Sequence, residues 1–278
     1  MRLSISNIAW DVIEDDAVAR LLARYGIDAI DIAPGKYFPE PSKATDQDIH
    51  AVRTWWHDRG VAVVGMQALL FGTTGLNVFG TDESRLTMLA HLDAVCRIGA
   101  NLGATVLVFG SPKNRDRSGM SDQQAEEIAI PFFRRLGDIA KAWGVTICLE
   151  PNPTHYGANF MTCTDATAKI VRRVEHPAIM MQFDTGSLKI NGENPEDILA
   201  RHGKLISHVH ASEPDLLPLG DGGTDHVGIA NALANAFSGK VVTIEMMATK
   251  LEPHLASIER ALHTALNSYG HVTTGSSS

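Results

Sequence analysis

Short apolar runs, most of them rich in β-branched residues, recur along the chain. Each is followed by a longer stretch in which apolar residues return every three or four positions. The runs are LSISNIA (3–9), IDAIDIA (27–33), VAVVGMQ (61–67), ATVLVFG (104–110), VTICLE (145–150), AIMMQFD (178–184), LISHVH (205–210) and VVTIEMM (241–247). Runs of this length between turn signals predict buried strands, and the intervening spacing predicts amphipathic helices, for example over 15–25, 45–59, 84–102 and 121–143. Ser121 with Gln124 three residues later has the form of a capping box, and Asn194-Pro195-Glu196 sets a capping side chain before a proline at the first helical position. Gly26, Gly60 and Gly144 each stand between a helical stretch and the next run, where a left-handed C-cap turns the chain back toward a sheet.

Eight strand-then-helix repeats with no charged alternation inside the strands predict a parallel sheet covered by helices on one side and filled with side chains on the other. The expected fold class is α/β, a single-domain (β/α)8 TIM barrel over residues 1–271, with 272–278 a disordered tail or a cloning remnant. An open doubly wound sheet is the alternative, but it normally uses fewer strands, and no G-x-G-x-x-G follows the first run.

Composition narrows the partners. With 24 Lys and Arg against 32 Asp and Glu, a net charge of −8, the 278-residue chain is ill suited to blanketing phosphates, so no nucleic-acid partner is expected. No window approaches 18 consecutive apolar residues, so no membrane association is expected. The N-terminus MRLSISNIAW also lacks the pattern of a secretory leader, so a soluble, cytoplasmic protein is expected. Cys96, Cys148 and Cys163 form no C-x-x-C pair and suggest neither a disulfide framework nor a thiolate zinc site.

In a barrel of this kind the strand-to-helix loops open on one face, and reactive groups gather at the carboxyl ends of the strands. Glu150, Asp184, His210 and Glu245 fall at or near the ends of the fifth to eighth strands, 34, 26 and 35 residues apart, each close to one repeat. Singly, a carboxylate at a strand end can simply cap the next helix, and a histidine in an apolar strand is usually a satisfied core group. Glu245 inside VVTIEMM, however, would cost several kcal/mol to bury without a compensating cation or proton. Oxygen ligands plus one imidazole suit one divalent ion, Mn²⁺, Mg²⁺ or Co²⁺, and would accept Zn²⁺.

The segments LEPNP (149–153), FDTG (183–186), HVHASE (208–213) and TIEMM (243–247) resemble the xylose-isomerase-like superfamily of sugar-phosphate isomerases and epimerases. That group includes tagatose/psicose 3-epimerases, hydroxypyruvate isomerase and inosose isomerases or dehydratases. The resemblance implies that Glu150, Asp184, His210 and Glu245 bind one divalent metal, Mn²⁺ first among the candidates, and that Glu150 and Glu245 double as the catalytic acid/base pair. Proton transfer next to a carbonyl creates an enediolate, which a fixed divalent charge stabilises while one carboxylate removes the proton and the other returns it. Return to the same carbon from the opposite face is epimerisation; return to the neighbouring carbon is aldose–ketose isomerisation.

The chain departs from the 3-epimerase pattern at Ser187, where a His is usual three residues after the strand-six Asp, and at Leu216, where an Arg is usual six residues after the strand-seven His. Substrate contacts are expected instead from His155, Gln67, Glu213, His226 and Trp10, with Lys113 and Arg115 as cations for a phosphate or carboxylate. Each also has a plain reading, as a surface charge for Lys113 and Arg115 or as packing for Trp10. Asn7 lies at a rim position, and Asp225-His226 resembles the extra metal ligands of the superfamily's abasic-site endonuclease branch. The apolar, Gly-rich segment LLFGTTGLNVFG (69–80) reads as a lid, an ordinary covering loop or a subunit contact, a homodimer or homotetramer being the assembly expected.

The leading expectation is therefore a carbohydrate isomerase or epimerase acting on a small-molecule sugar, sugar phosphate or keto-polyol. A metal-dependent lyase or dehydratase on a keto-sugar or inosose is the alternative on the same site. An abasic-site endonuclease would need about three metals and a basic groove, and a noncatalytic sugar-binding protein would exchange no substrate proton.

Overall fold

The computed structural model describes residues 1–236 and 240–270. Eight parallel strands, β1 (Arg2–Ser6), β2 (Ala29–Ile32), β3 (Ala62–Met66), β4 (Val106–Phe109), β5 (Thr146–Leu149), β6 (Ile179–Asp184), β7 (Ile206–Ser212) and β8 (Val241–Glu245), pair in sequence order. Pairing of β1 with β8, Arg2 opposite Val241 through Ile5 opposite Ile244, closes the barrel. Around it run α1 (Asp15–Tyr25), α2 (Asp46–His57), α3 (Asp82–Leu102), α4 (Asp122–Ala142), α5 (Thr164–Val174), α6 (Thr185–Asn191), α7 (Pro195–His202), α8 (His226–Ala236) and α9 (His254–Tyr269).

Local chemistry explains the boundaries. Thr45 with Asp48 and Ser121 with Gln124 close capping boxes at the starts of α2 and α4, and the Asn194 side chain accepts from the Asp197 amide at the start of α7. Gly26, at φ 65°, ends α1 in the left-handed conformation and returns the chain to β2. The helices are held on by apolar contacts such as the edge-on Phe109–Phe133 pair between β4 and α4, rings 5.5 Å apart. Burying each such ring contributes roughly 1.5–3 kcal/mol.

Most of the strands are shorter than the apolar runs, because the run ends turn into the loops that shape the rim; Glu150, for instance, stands one residue beyond β5, whereas β7 continues past its run to Ser212. The side chains that fill the interior are not all apolar. Asp31, His208 and Thr243, from β2, β7 and β8, meet inside the barrel. Gly65 of β3 leaves room for Asp31: a Cβ there would come within 2.6 Å of its Oδ1. The expected tail, 272–278, lies outside the described residues. Among the described residues no helix is long and apolar enough to cross a membrane.

Candidate active site and metal centre

Consecutive strands deliver the central residues. Asp184 is the last residue of β6, directly opposite His210 in β7; Glu245 is the last of β8, opposite Ser212; Glu150 follows β5. One ligand atom from each of Glu150, Asp184, His210 and Glu245 lies within 4.8 Å of the others. His210 is fully buried, and its Nδ1 faces Glu245 Oε2 at 3.2 Å and Glu150 Oε1 at 3.8 Å.

The three carboxylates are held differently. Glu150 turns its other oxygen, Oε2, to the Asn152 amide at 3.0 Å, and Glu245 turns Oε1 to the Gln67 amide at 2.9 Å. Each glutamate thus keeps one oxygen for the centre and one for a neutral donor. Asp184 has both oxygens engaged, Oδ1 by the Ser187 backbone N–H at 2.7 Å and Oδ2 by the Ser212 hydroxyl at 2.6 Å. Gly110 completes the cradle, since a Cβ there would stand 2.0 Å from Glu150 Oε2.

Collecting these charges out of water is costly. Burial, then the charges of Glu245 and Asp184, push the Glu150 carboxyl up to about 8, and burial together with Glu245 raises Asp184. Burial alone would lower the His210 imidazole, but Glu245 and Asp31 hold it well above its usual range. Glu150, Asp184, His210 and Glu245 would hold a divalent cation, whose charge would offset the crowded carboxylates, and the oxygen-rich, thiolate-free donor set suits Mn²⁺, Mg²⁺, Co²⁺ or Zn²⁺.

Beneath His210 lies support not anticipated from the sequence. Asp31 Oδ2 is 2.6 Å from His208 Nε2 and 3.5 Å from His210 Nε2. Although burial opposes it, His208 and His210 hold the Asp31 carboxyl below the ordinary carboxylate range. An anion behind Nε2 favours the tautomer whose Nδ1 is free to ligate.

The remaining candidates separate clearly. Gln67, Lys113 and Glu213 line the cavity above the centre, whereas Trp10, Arg115, His155 and His226 do not. Trp10 is fully buried and donates through Nε1 to Asp15 Oδ1 at 2.7 Å, because the chain turns at 7–9 and carries the ring behind the rim. Asn7 likewise turns away, accepting from the Ala33 N–H at 2.7 Å. Arg115 is buried with Nη1 donating to the Glu150 carbonyl at 2.7 Å, so it braces the backbone at the site instead of gripping an anion. Lys113 is exposed on the cavity wall, its ammonium reaching the Thr73 carbonyl at 3.4 Å.

His155 pairs with Asp215 at 2.8 Å and pins the turn 214–216. His226 bridges the Tyr269 hydroxyl and Glu213, and Asp225 accepts from the Gly228 N–H at the start of α8, so neither residue joins the metal cluster. Glu213 is saturated by Gly220, Thr224 and His226; burial opposes it, but these bonds hold its carboxyl down to about 2. From 69–80, the residues Leu69, Leu70 and Phe71 reach the cavity.

Inosose dehydratase of Clostridium beijerinckii is 25% identical over 142 residues, covering 48% of this chain and 45% of that protein, so the chain spans about half the length of the curated relatives it matches. D-Psicose 3-epimerase from Clostridium cellulolyticum H10, solved with D-tagatose, superposes with a TM-score of 0.79 at 19% identity, covering 98% of this chain and 99% of that one. The IOLI protein with a bound zinc atom superposes with a TM-score of 0.76 at 18% identity, covering 99% and 100%. These structural likenesses establish the shared fold. The family model for the xylose isomerase-like TIM barrel matches residues 19–266, from within α1 to within α9. With the closed barrel spanning that match, the chain belongs to the xylose isomerase-like TIM-barrel family.

Proposed function

We propose that the protein is a divalent-metal-dependent isomerase or epimerase of a small keto-sugar, sugar phosphate or keto-polyol, moving a proton on the carbon next to the carbonyl with Glu150 and Glu245 as the acid/base pair. The observation that carries this reading is the contrast among the carboxylates. Asp184 has a donor on each oxygen and serves as a fixed ligand, whereas each glutamate is steadied by one amide at the cavity floor. When bound by Glu150, Asp184, His210 and Glu245, a divalent cation supplies positive charge where negative charge develops beside the carbonyl.

One glutamate accepts the carbon-bound proton, and the bonding pair moves toward the carbonyl to give an enediolate. The other glutamate returns a proton, to the same carbon from the opposite face or to the former carbonyl carbon. Asn152 and Gln67 hold the two carboxylates in place between steps. Lys113 is the cation on the wall available to a phosphate.

A second reading, a dehydratase, is favoured by the inosose dehydratase relatives. The same proton removal then expels a hydroxyl from the next carbon as water. Product mass separates the two, because isomerisation conserves mass and dehydration loses one water. For either reaction, Glu150→Gln and Glu245→Gln should lower turnover by about 10²–10⁴-fold while leaving the melting temperature near wild type. Full turnover in either variant would remove the acid/base pair.

A further inference from the structure

The polar side chains that line the cavity divide into acceptors and donors, and most of the donors are already spent on the protein. Asp11, Glu213, Asp215 and the three carboxylates at the floor only accept when ionised. Gln67 and Asn152 donate to Glu245 and Glu150, the Ser111 hydroxyl to Asn114, and the Ser187 hydroxyl to the Pro151 carbonyl. Lys36 donates to the Asn7 and Trp10 carbonyls, and Lys113 reaches the Thr73 carbonyl. Tyr156, at the end of the short turn Thr154–Tyr156 after β5, differs from the other hydroxyls on the lining. Its oxygen accepts the Asp215 N–H at 2.9 Å, and among the described residues no acceptor takes its proton.

The phenol is held in one place and kept neutral. His155 packs edge-on against its ring, centroids 5.1 Å apart, and pairs through Nε2 with Asp215 Oδ1 at 2.8 Å. Asp215 and Leu216 both take left-handed backbone angles, φ 58° and 53°, which residues with a Cβ rarely adopt. Three bonds hold them there: the Asp215 N–H to Tyr156, the Leu216 N–H to the Glu213 carbonyl at 3.0 Å, and the Met247 N–H to the Leu216 carbonyl at 2.9 Å. Backbone strain kept in place by its surroundings clusters at ligand clamps. Burial, joined by the charges of Asp184, Asp215 and Glu245, raises the phenol against the lowering effect of the Asp215 N–H, so the proton stays on the oxygen.

Donor and acceptor therefore adjoin on one wall. The Tyr156 O–H is available to a ligand, and the Asp215 carboxylate, which gives Oδ1 to His155, keeps Oδ2. A carbonyl oxygen can use only the donor, whereas a hydroxyl accepts from one group and donates to the other. The Asp215 side chain is 61% exposed, which sets this pair toward the mouth, away from the buried floor where Glu150 and Glu245 stand.

We infer, on the basis of the metal-dependent proton transfer proposed above, that Tyr156 and Asp215 grip one hydroxyl of the substrate on a carbon that takes no part in the proton transfer. The phenol donates to that hydroxyl and the Asp215 carboxylate accepts from it. The two residues thereby determine which sugars are turned over, and the pairing of His155 with Asp215 aims them.

The test follows deuterium entry beside the carbonyl by proton NMR in D₂O, with Mn²⁺-loaded wild type, Tyr156→Phe and Asp215→Gly, on D-fructose and its 1-deoxy, 4-deoxy, 5-deoxy and 6-deoxy analogues. Phenylalanine keeps the ring, and glycine keeps the N–H and suits the left-handed angle, so melting temperature and Mn²⁺ affinity should stay near wild type. In the wild type one analogue should lose about tenfold or more in kcat/KM against D-fructose. Each variant should lose a similar factor on D-fructose and nothing further on that analogue, the signature of a direct contact in a double-mutant cycle. A tyrosine that only pinned the turn would slow all five substrates alike. That result, or exchange on D-fructose within twofold of wild type in Tyr156→Phe, would overturn the inference and leave the proton-transfer reading standing. No exchange by the wild type on any of the five would remove that reading for free ketohexoses and this inference with it.

Discussion

Gly110→Ala is a sharp test of how the Glu150 carboxylate is held. Gly110 lines the cavity just beyond β4, and its φ lies outside the left-handed region, so alanine is accommodated by the backbone. The new methyl would stand 2.0 Å from Glu150 Oε2 and 3.0 Å from Cδ. An ordinary carbon–oxygen contact is about 3.3 Å, so the carboxylate must retreat by about 1.3 Å. That movement breaks its 3.0 Å bond from Asn152 and shifts Oε1 relative to His210. A misplacement of about 1 Å costs on the order of 100-fold in rate. Folding should hardly notice, since the side chain that moves is flexible and alanine lowers the unfolded chain's entropy by a few tenths to about 1 kcal/mol. Thermal melts, Mn²⁺ titration calorimetry and substrate proton exchange read the three quantities separately. Expected are an unchanged melting temperature, weakened metal binding and about 100-fold slower exchange. Exchange within about threefold of wild type would refute the placement of Glu150 against Gly110.

Three further outcomes follow from the geometry. Asp31→Asn removes the anion behind His210 and should weaken metal binding by about 10–100-fold in calorimetry, since partners behind a ligating histidine have effects of that size; unchanged affinity would show that Asp31 does not orient the ring. Glu213 is depressed from the ordinary glutamate value of 4.5 to about 2, so its stabilisation, about 3 kcal/mol, is present above pH 4.5 and lost as pH falls toward 2. Denaturant midpoints should therefore fall across that window in the wild type and fall less in Glu213→Gln; parallel curves would contradict the assignment. Trp10→Phe deprives Asp15 of a buried donor and should cost about 1–3 kcal/mol of stability with metal affinity and exchange unaltered, whereas a loss of exchange would return Trp10 to the substrate site.

Much of the barrel was legible because its signals are local. Apolar runs separated by capped amphipathic stretches are read within a window of about twenty residues, and α1 falls on the predicted 15–25. The convergence of Glu150, Asp184, His210 and Glu245 followed from the same repeat, since each stands at or near a strand end one unit further round. What escaped depends on contacts across the closed barrel. Asp31 and His208 meet over 177 residues of sequence, and nothing in IDAIDIA announces which way its second aspartate points. Trp10 and Asn7 were misplaced because a short turn at 7–9 reverses the direction that strand alternation suggests. Arg115 and Lys113 sit two positions apart in one turn, yet one is buried under Glu150 and the other faces the cavity. Asn152 was reachable, standing two residues from Glu150 within LEPNP.

The most direct measurement of the central claim is deuterium incorporation by proton NMR in D₂O, with metal-loaded protein offered a panel of ketoses, aldoses, their phosphates and inososes. The account predicts loss of signal at carbons next to the carbonyl, abolished by EDTA, restored by Mn²⁺, and lost in Glu150→Gln and Glu245→Gln. Exchange that survives EDTA, or metal binding without exchange on any member of the panel, would contradict it.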